Sequence, residues 1–513
     1  MAATAELALG VLQGIDRDDH VEFRGIPYAA PPVNEKRFQP PHPVEAWEGI
    51  KRADRFGDAS LQEDTSLFGV GNTSEDCLYL NVWTPSADNK KRPVMVWIHG
   101  GGFLSGSGSQ LIYRGRELCI NGDMVVVTIN YRLGALGFLD LTQHFGDDLS
   151  VSTNNGLRDQ IAALTWVKEH IHAFGGDANQ ITVFGESAGA KSIASLMVSP
   201  SADGLFNRAI IQSGSGDHVL TKEESSRVTE CFLSEAGITT SDPDALLNLT
   251  TAQILKAQKK CQEVSFEHGA QRPMAPQFGM TLLPVIDGEV VPTSPIRAIG
   301  AGKAKNIALM LASTRDEWNL FLHTPGPDGD TLAKTHYKNI NKKELINICE
   351  RDLPGLGESS ANLYEKVLLT RNENSSVLDM YSAFESDRMF RIPTLRLAEA
   401  QSTYRQDVFV CEFTWDRGVF GACHATDIPF VFGGTQGGVG QILTGGGSKA
   451  ALLSDAVQSC WIGFARSGNP ATDRTGQWPN YNTNTRSVMC FDTEIAIQED
   501  PLRDTRQHWD GIL

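Results

Sequence analysis

The amino-acid sequence predicts an α/β fold, a mostly parallel sheet covered by helices on both faces. Two observations predict it. Short segments that are β-branched or continuously apolar recur along the chain, and helix-period stretches alternate with them across turn residues. A strand with one wet face alternates apolar with polar residues, whereas a continuous apolar run suits a strand buried on both sides.

In chain order, residues 94–98, 124–129, 181–184, 208–212, 307–311 and 408–413 read as buried strands. Between them, 155–174 places Leu157, Ile161, Leu164, Val167 and Ile171 on one helix face, and 188–198 reads as a helix of small residues. The Gly-rich run 433–447 reads as a surface loop. Segments 215–300 and 320–400 are more polar and helical in character, which suits insertions around a sheet better than independent domains.

Of the 513 residues, 41% are hydrophobic and 21% charged, which excludes disordered and collagen-like classes. Lys and Arg number 45 against 62 Asp and Glu; the net charge of −17 argues against nucleic acid and anionic membrane surfaces as partners. The start of the chain lacks a basic stretch followed by an apolar run, so no signal peptide is expected. The richest apolar stretch, 124–141, is interrupted by Asn130, Arg132 and Asp140, so no membrane span is expected either. Cysteines at 77, 119, 231, 261, 349, 411, 423, 460 and 490 show no C-x-x-C spacing and read as reduced thiols in a cytoplasm.

The chemistry concentrates at Gly185-Glu-Ser-Ala-Gly189, between the strand at 181–184 and the helix at 188–198. In that context a G-x-S-x-G run is a nucleophile elbow, a strained turn that lifts the serine hydroxyl to the carboxyl edge of the sheet. Ser187 is the candidate nucleophile. His99-Gly-Gly-Gly-Phe103 follows the strand at 94–98, and glycine lets backbone N–H groups approach a developing oxyanion that a Cβ would obstruct. The serine needs a base and the base an orienting acid, in the chain order Ser, acid, His on this architecture. Downstream of Ser187 lie His218, His268, His323, His336, His424 and His508. Of these, His424 stands in a loop after the strand at 408–413, where such chemistry is mounted. The loop after 307–311 offers Asp316 and Glu317 as the acid, and composition gives no preference between them.

These residues resemble those of the type-B carboxylesterases, the family of bacterial para-nitrobenzyl esterases and animal cholinesterases. The resemblance covers nearly the whole chain. Arg24-Gly-Ile-Pro-Tyr28, Arg37-Phe38, Ser74-Glu-Asp-Cys-Leu-Tyr-Leu-Asn81, the HGGGF run, Asn130-Tyr-Arg132 and Gly156-Leu-Arg-Asp-Gln160 match in order. Phe174-Gly-Gly-Asp177, the elbow, Gln212-Ser-Gly214, Phe464-Ala-Arg-Ser-Gly-Asn-Pro470 and Trp478-Pro-Asn-Tyr481 continue the pattern.

The resemblance implies an α/β-hydrolase fold, one unit over 1–513 with lid or cap insertions near 61–75, 215–300 and 320–400. It implies Ser187 as nucleophile, His424 as general base and Glu317 as the orienting acid. The backbone N–H groups of Gly101, Gly102 and Ala188 would form the oxyanion hole, Ser213 would steady the acid, and Arg37 with Glu75 matches a structural ion pair. No metal or organic cofactor is implied. Trp318 stands where the family has glycine, a departure that bears on the geometry of the acid loop. The cysteine matching Cys77 closes a disulfide with an upstream partner in secreted relatives; no cysteine precedes Cys77 here, which fits a bacterial cytoplasmic enzyme. Leu67 and Phe68 stand where cholinesterases stack choline on tryptophan, so choline-ester recognition is not expected.

The implied activity is hydrolysis of small-molecule carboxylic esters through an acyl-enzyme, by a monomer or weak homo-oligomer with no nucleic-acid or membrane partner. A third glycine in the oxyanion loop leaves room for bulky alcohols. Met, Phe and Leu residues around 67–70, 274–280 and 318–322 suggest an apolar pocket for short- to medium-chain or aromatic esters. Carbamate or amide hydrolysis with the same triad is the alternative. A non-catalytic binding protein of this fold would lack a triad residue or carry an anchor, and a lipase would need a large exposed apolar lid.

Overall fold

A computed structural model describes residues 3–63, 68–149, 151–240, 242–266, 280–326, 329–371, 373 and 375–512. Its frame is an 11-stranded sheet. In chain order the strands are β1 (Ile15–Asp16), β2 (Val21–Pro27), β3 (Tyr79–Thr84), β4 (Arg92–Ile98), β5 (Val125–Ile129) and β6 (Gly176–Glu186). Then come β7 (Arg208–Gln212), β8 (Ala308–Thr314), β9 (Val408–Phe413), β10 (Ser487–Phe491) and β11 (Ala496–Glu499). Across the sheet the order is β11-β10-β9-β8-β7-β6-β4-β5-β3-β2-β1. The block from β10 to β5 is parallel throughout, and antiparallel strands extend both edges.

Each strand expected from a continuous apolar run lies in the parallel block, where every residue of β5, β8 and β9 is buried. The edge strands carry a different signature. β2 reads Val21-Glu-Phe-Arg-Gly-Ile-Pro27, alternating polar with apolar residues and containing glycine and proline, so a search for unbroken apolar runs passes over it.

Alternation along the strands divides the core. Val94, Val96 and Ile98 of β4 pack with Leu157, Leu164 and Val167 of α1 (Asn155–His170) and with Ile193 of α2 (Ala188–Leu196). Met95 and Trp97 point to the other face, toward Trp461 and Phe464 of α3 (Gly447–Ser467). The run 433–447, expected as a loop, is instead largely helical, because Gly438–Thr444 forms a helix and α3 begins at Gly447. Its glycines sit at the helix ends, where Gly437, Gly445 and Gly446 hold positive φ. Helices between Asn319 and Ser402 gather a third cluster, in which Leu345, Tyr364, Phe384 and Phe390 meet Trp318 and Trp509.

Among the described residues, no helix is long and apolar enough to cross a membrane. All nine cysteines are unpaired. The chain runs from β4 to β5 on one side and then to β6 on the other, and such a reversal opens a crevice at the carboxyl ends of the strands.

Candidate active site

β6 ends at Glu186, and Ser187 follows with φ 55 and ψ −119 before α2 begins at Ala188. That conformation is strained for a residue with a Cβ. The turn is held from both sides. The Ser187 N–H donates to the Gln212 carbonyl at 2.9 Å. A Cβ on Gly189 would lie 2.0 Å from the Ile98 carbonyl oxygen, so only glycine lets α2 pack this closely on β4.

Ile98 pairs in register with Gly185, which brings the loop after β4 beside the elbow. His99 is buried there, stacked on Tyr131 at 4.5 Å, with Nδ1 2.8 Å from the Gly100 carbonyl. Burial pushes its pKa down to about 4, so a neutral ring donates from Nδ1 and braces the loop. Gly101 has φ 104, and a Cβ on it would meet the Ser105 carbonyl at 2.0 Å. Among the described residues, no chain carbonyl accepts from the N–H of Gly101 or Gly102. Ala188 opens α2, where the first N–H groups have no intrahelical acceptor.

Strands β7, β8 and β9 deliver the remaining residues at neighbouring carboxyl ends. Glu317 is fully buried. Its Oε1 accepts from the Thr314 N–H at 2.8 Å and the Ser213 hydroxyl at 2.6 Å, and its Oε2 lies 2.6 Å from His424 Nδ1. Asp316 turns away to the Arg315 guanidinium. Of the two acids left open by composition, Glu317 is the one beside His424. Trp318 has φ −71, its N–H donates to Ser386 Oγ at 2.9 Å, and its ring packs 4.8 Å from Phe321. Any residue adopts that backbone, so the loop does not require glycine at 318.

His424 Nε2 lies 2.9 Å from Glu186 Oε1, although the two are not aligned as a hydrogen bond. Burial alone would lower the imidazole pKa, but Glu186 and Glu317 outweigh it and hold it up at about 10. Ser187, Ser213 and Ala425 all carry positive φ, at 55, 50 and 68. Strained residues thus gather around one point on the sheet edge, as they do at functional sites.

That point opens into a cavity of about 400 Å³ lined by Gly100, Gly101, Gly102, Ser187 and His424, with walls that include Phe68, Leu104, Leu320, Phe321, Met389 and Phe390. Three segments expected to supply apolar walls do so through Phe68, Met280 and Trp318. Leu67 and Met274 lie outside the described residues, as does His268. Arg37 and Glu75 pair through two bonds of 2.8 and 2.6 Å and take no part in the cavity wall.

The carboxylesterase family model matches residues 2–509. The chain belongs to the carboxylesterase family. It is 37% identical over 508 residues to the para-nitrobenzyl esterase of Bacillus subtilis strain 168, covering 97% of this chain and 96% of that one. It is 31% identical over 511 residues to the phenmedipham hydrolase of Pseudarthrobacter oxydans, covering 96% and 95%. The carboxylesterase EST55 of Geobacillus stearothermophilus matches with a TM-score of 0.87 and 35% identity over 99% of this chain and 100% of that one. The fold is that of an α/β-hydrolase, and the protein is a serine carboxylesterase.

Two residues that line this cavity have no signature of their own in the sequence, Glu186 and Lys191. Both stand inside or beside the elbow motif Gly185-Glu-Ser-Ala-Gly189. Glu186 is 3% exposed against His424, and Lys191 is 2% exposed on the cavity wall. The one signal for them is a charged residue on either side of a turn that must be buried.

Proposed function

We propose that Ser187 attacks the ester carbonyl while His424 removes its proton, with Glu317 fixing the imidazole tautomer and stabilising the imidazolium. The Gly101, Gly102 and Ala188 N–H groups hold the oxyanion. His424 then protonates the leaving alkoxide, and water activated by the same imidazole releases the acid. The observation that carries this reading is the 2.6 Å contact between Glu317 and His424 at the mouth of an apolar cavity that Ser187 also lines. Each oxyanion donor contributes on the order of 10²–10³ in rate.

The apolar walls favour short- to medium-chain or aromatic esters, and carbamate or amide hydrolysis would use the same groups. The unpaired cysteines support a cytoplasmic enzyme of bacterial type, and we read it as a monomer or weak homo-oligomer. We also read residues 1–513 as one unit with lid insertions. Release of para-nitrophenol from the acetate through laurate esters tests the mechanism. Wild type should hydrolyse the short esters in solution and Ser187→Ala should lose on the order of 10⁶ in kcat. Equal turnover by Ser187→Ala would sink the assignment, and turnover only above substrate solubility would mark a lipase.

A further inference from the structure

Lys191 is the unusual charge in this cavity. It stands one turn after Ser187 on α2, its backbone N–H donating to the Ser187 carbonyl at 3.0 Å, and it is 2% exposed. Its side chain lines the cavity that Ser187 and His424 share. A lysine ammonium buried to this degree is almost always paired. Here, among the described residues, no carboxylate lies within ion-pair distance of Nζ and no acceptor is hydrogen-bonded to it. The ring of Phe390 has its centroid 5.5 Å from Nζ.

The charged groups nearest Lys191 on the packed elements are committed elsewhere. Glu186, at the end of β6, rests against His424 Nε2. Glu317, after β8, is taken by Thr314, Ser213 and His424 Nδ1. His424, after β9, lies 4.7 Å from the ring of Phe390, which belongs to the π-helical turn Asp387–Arg391. Asp427 is held by Gln212 at 2.6 Å. The two carboxylates act on the ammonium only at longer range. Burial pulls its pKa down to about 8, against the pull of Glu186 and Glu317. A cation, three open hydrogen-bond donors and an aromatic wall therefore face the space where substrate must sit.

We propose that Lys191 is a specificity-determining residue that binds a carboxylate carried by the ester substrate, so that monoesters of dicarboxylic acids are preferred over their neutral counterparts. The inference rests on Ser187 being the nucleophile, since only then does the Lys191 ammonium lie in the substrate's space. Bound this way, the substrate carboxylate supplies the acceptor that the chain does not, and Phe390 shields the pair from water.

The test is the ratio of kcat/KM for monobenzyl adipate to kcat/KM for benzyl hexanoate, which differ by one carboxylate. In Lys191→Met the ratio should fall by about 10- to 100-fold, the range for a hydrogen bond to a charged group. A second arm needs no variant that loses the charge. In wild type the ratio should fall as pH rises through about 8, while in Lys191→Arg, whose side chain stays charged, it should hold. A ratio that is unchanged in Lys191→Met, or that is flat with pH in wild type, overturns the proposal and leaves Lys191 as a charge that merely offsets Glu186. A lack of benzyl hexanoate and para-nitrophenyl acetate hydrolysis by wild type would instead overturn the reading of Ser187, so the two failures are distinguishable.

Discussion

Two strand ends bring side chains to the same site by opposite means. At the end of β6 the chain relies on backbone conformation, with Ser187 at φ 55 and Gly189 packed where any Cβ would strike the Ile98 carbonyl at 2.0 Å. After β8 the backbone is ordinary, Trp318 having φ −71, and Glu317 is held by hydrogen bonds from Thr314, Ser213 and His424. The elbow stores its precision in sterics and the acid loop in polar contacts. Errors in the first should therefore be structural, and errors in the second chemical.

The sharpest way to separate the two is Glu317→Gln. It keeps the shape of the acid loop but removes the charge facing His424 Nδ1, and kcat should fall on the order of 10⁴ with little change in melting temperature. A kcat within a factor of ten of wild type would mean that Asp316 or another acid serves the histidine. Gly189→Ala attacks the elbow instead. The added methyl must displace backbone, so we expect a loss of stability of about 1–3 kcal/mol or more, together with lost activity, read by thermal unfolding. Unchanged unfolding would show that the elbow tolerates what its geometry forbids.

Glu186→Gln probes the electrostatics between the two regions. In the proposed mechanism the neutral imidazole is the base, and Glu186 with Glu317 raises the His424 pKa to about 10, so the rise of kcat/KM with pH should be displaced to the alkaline side. Removing the Glu186 charge lowers that pKa and should move the rise toward neutral pH; a stationary profile would show that Glu186 does not reach the base. The smallest effect belongs to Ser213→Ala. Glu317 keeps its contacts with the Thr314 N–H and His424, so kcat should fall only about tenfold, measured on para-nitrophenyl acetate.

The same contrast explains what could be read from the sequence. Sterics leave an imprint on composition: the Gly-rich turns at 100–102 and 185–189 and the apolar runs of β4 to β9 are visible because only certain residues fit there. Polar contacts made across long separations leave no such imprint. Composition did not distinguish Glu317 from Asp316, because the distinction lies in contacts with Ser213 and His424 that only the assembled sheet provides. Family resemblance supplied that choice. Glu186 and Lys191 leave no imprint for the same reason, being charges with neighbours in the loops after β4 and β9 and at Phe390. The antiparallel edges escaped notice through their mixed polarity, and the helix Gly438–Thr444 through glycines that mark its ends.

The sheet also governs the order in which the chain can acquire structure. β8 and β9 pair across nearly a hundred intervening residues, as Leu309 with Val408, and β9 is covered only when β10 is added at Cys411 with Met489. Such long loop closures slow folding. During synthesis, the strand ends carrying Ser187, Glu317 and His424 are made before β10, which pairs the open edge of β9. The growing chain thus carries those three residues beside an unpaired strand edge until β10 emerges, an interval in which that edge is open to aggregation.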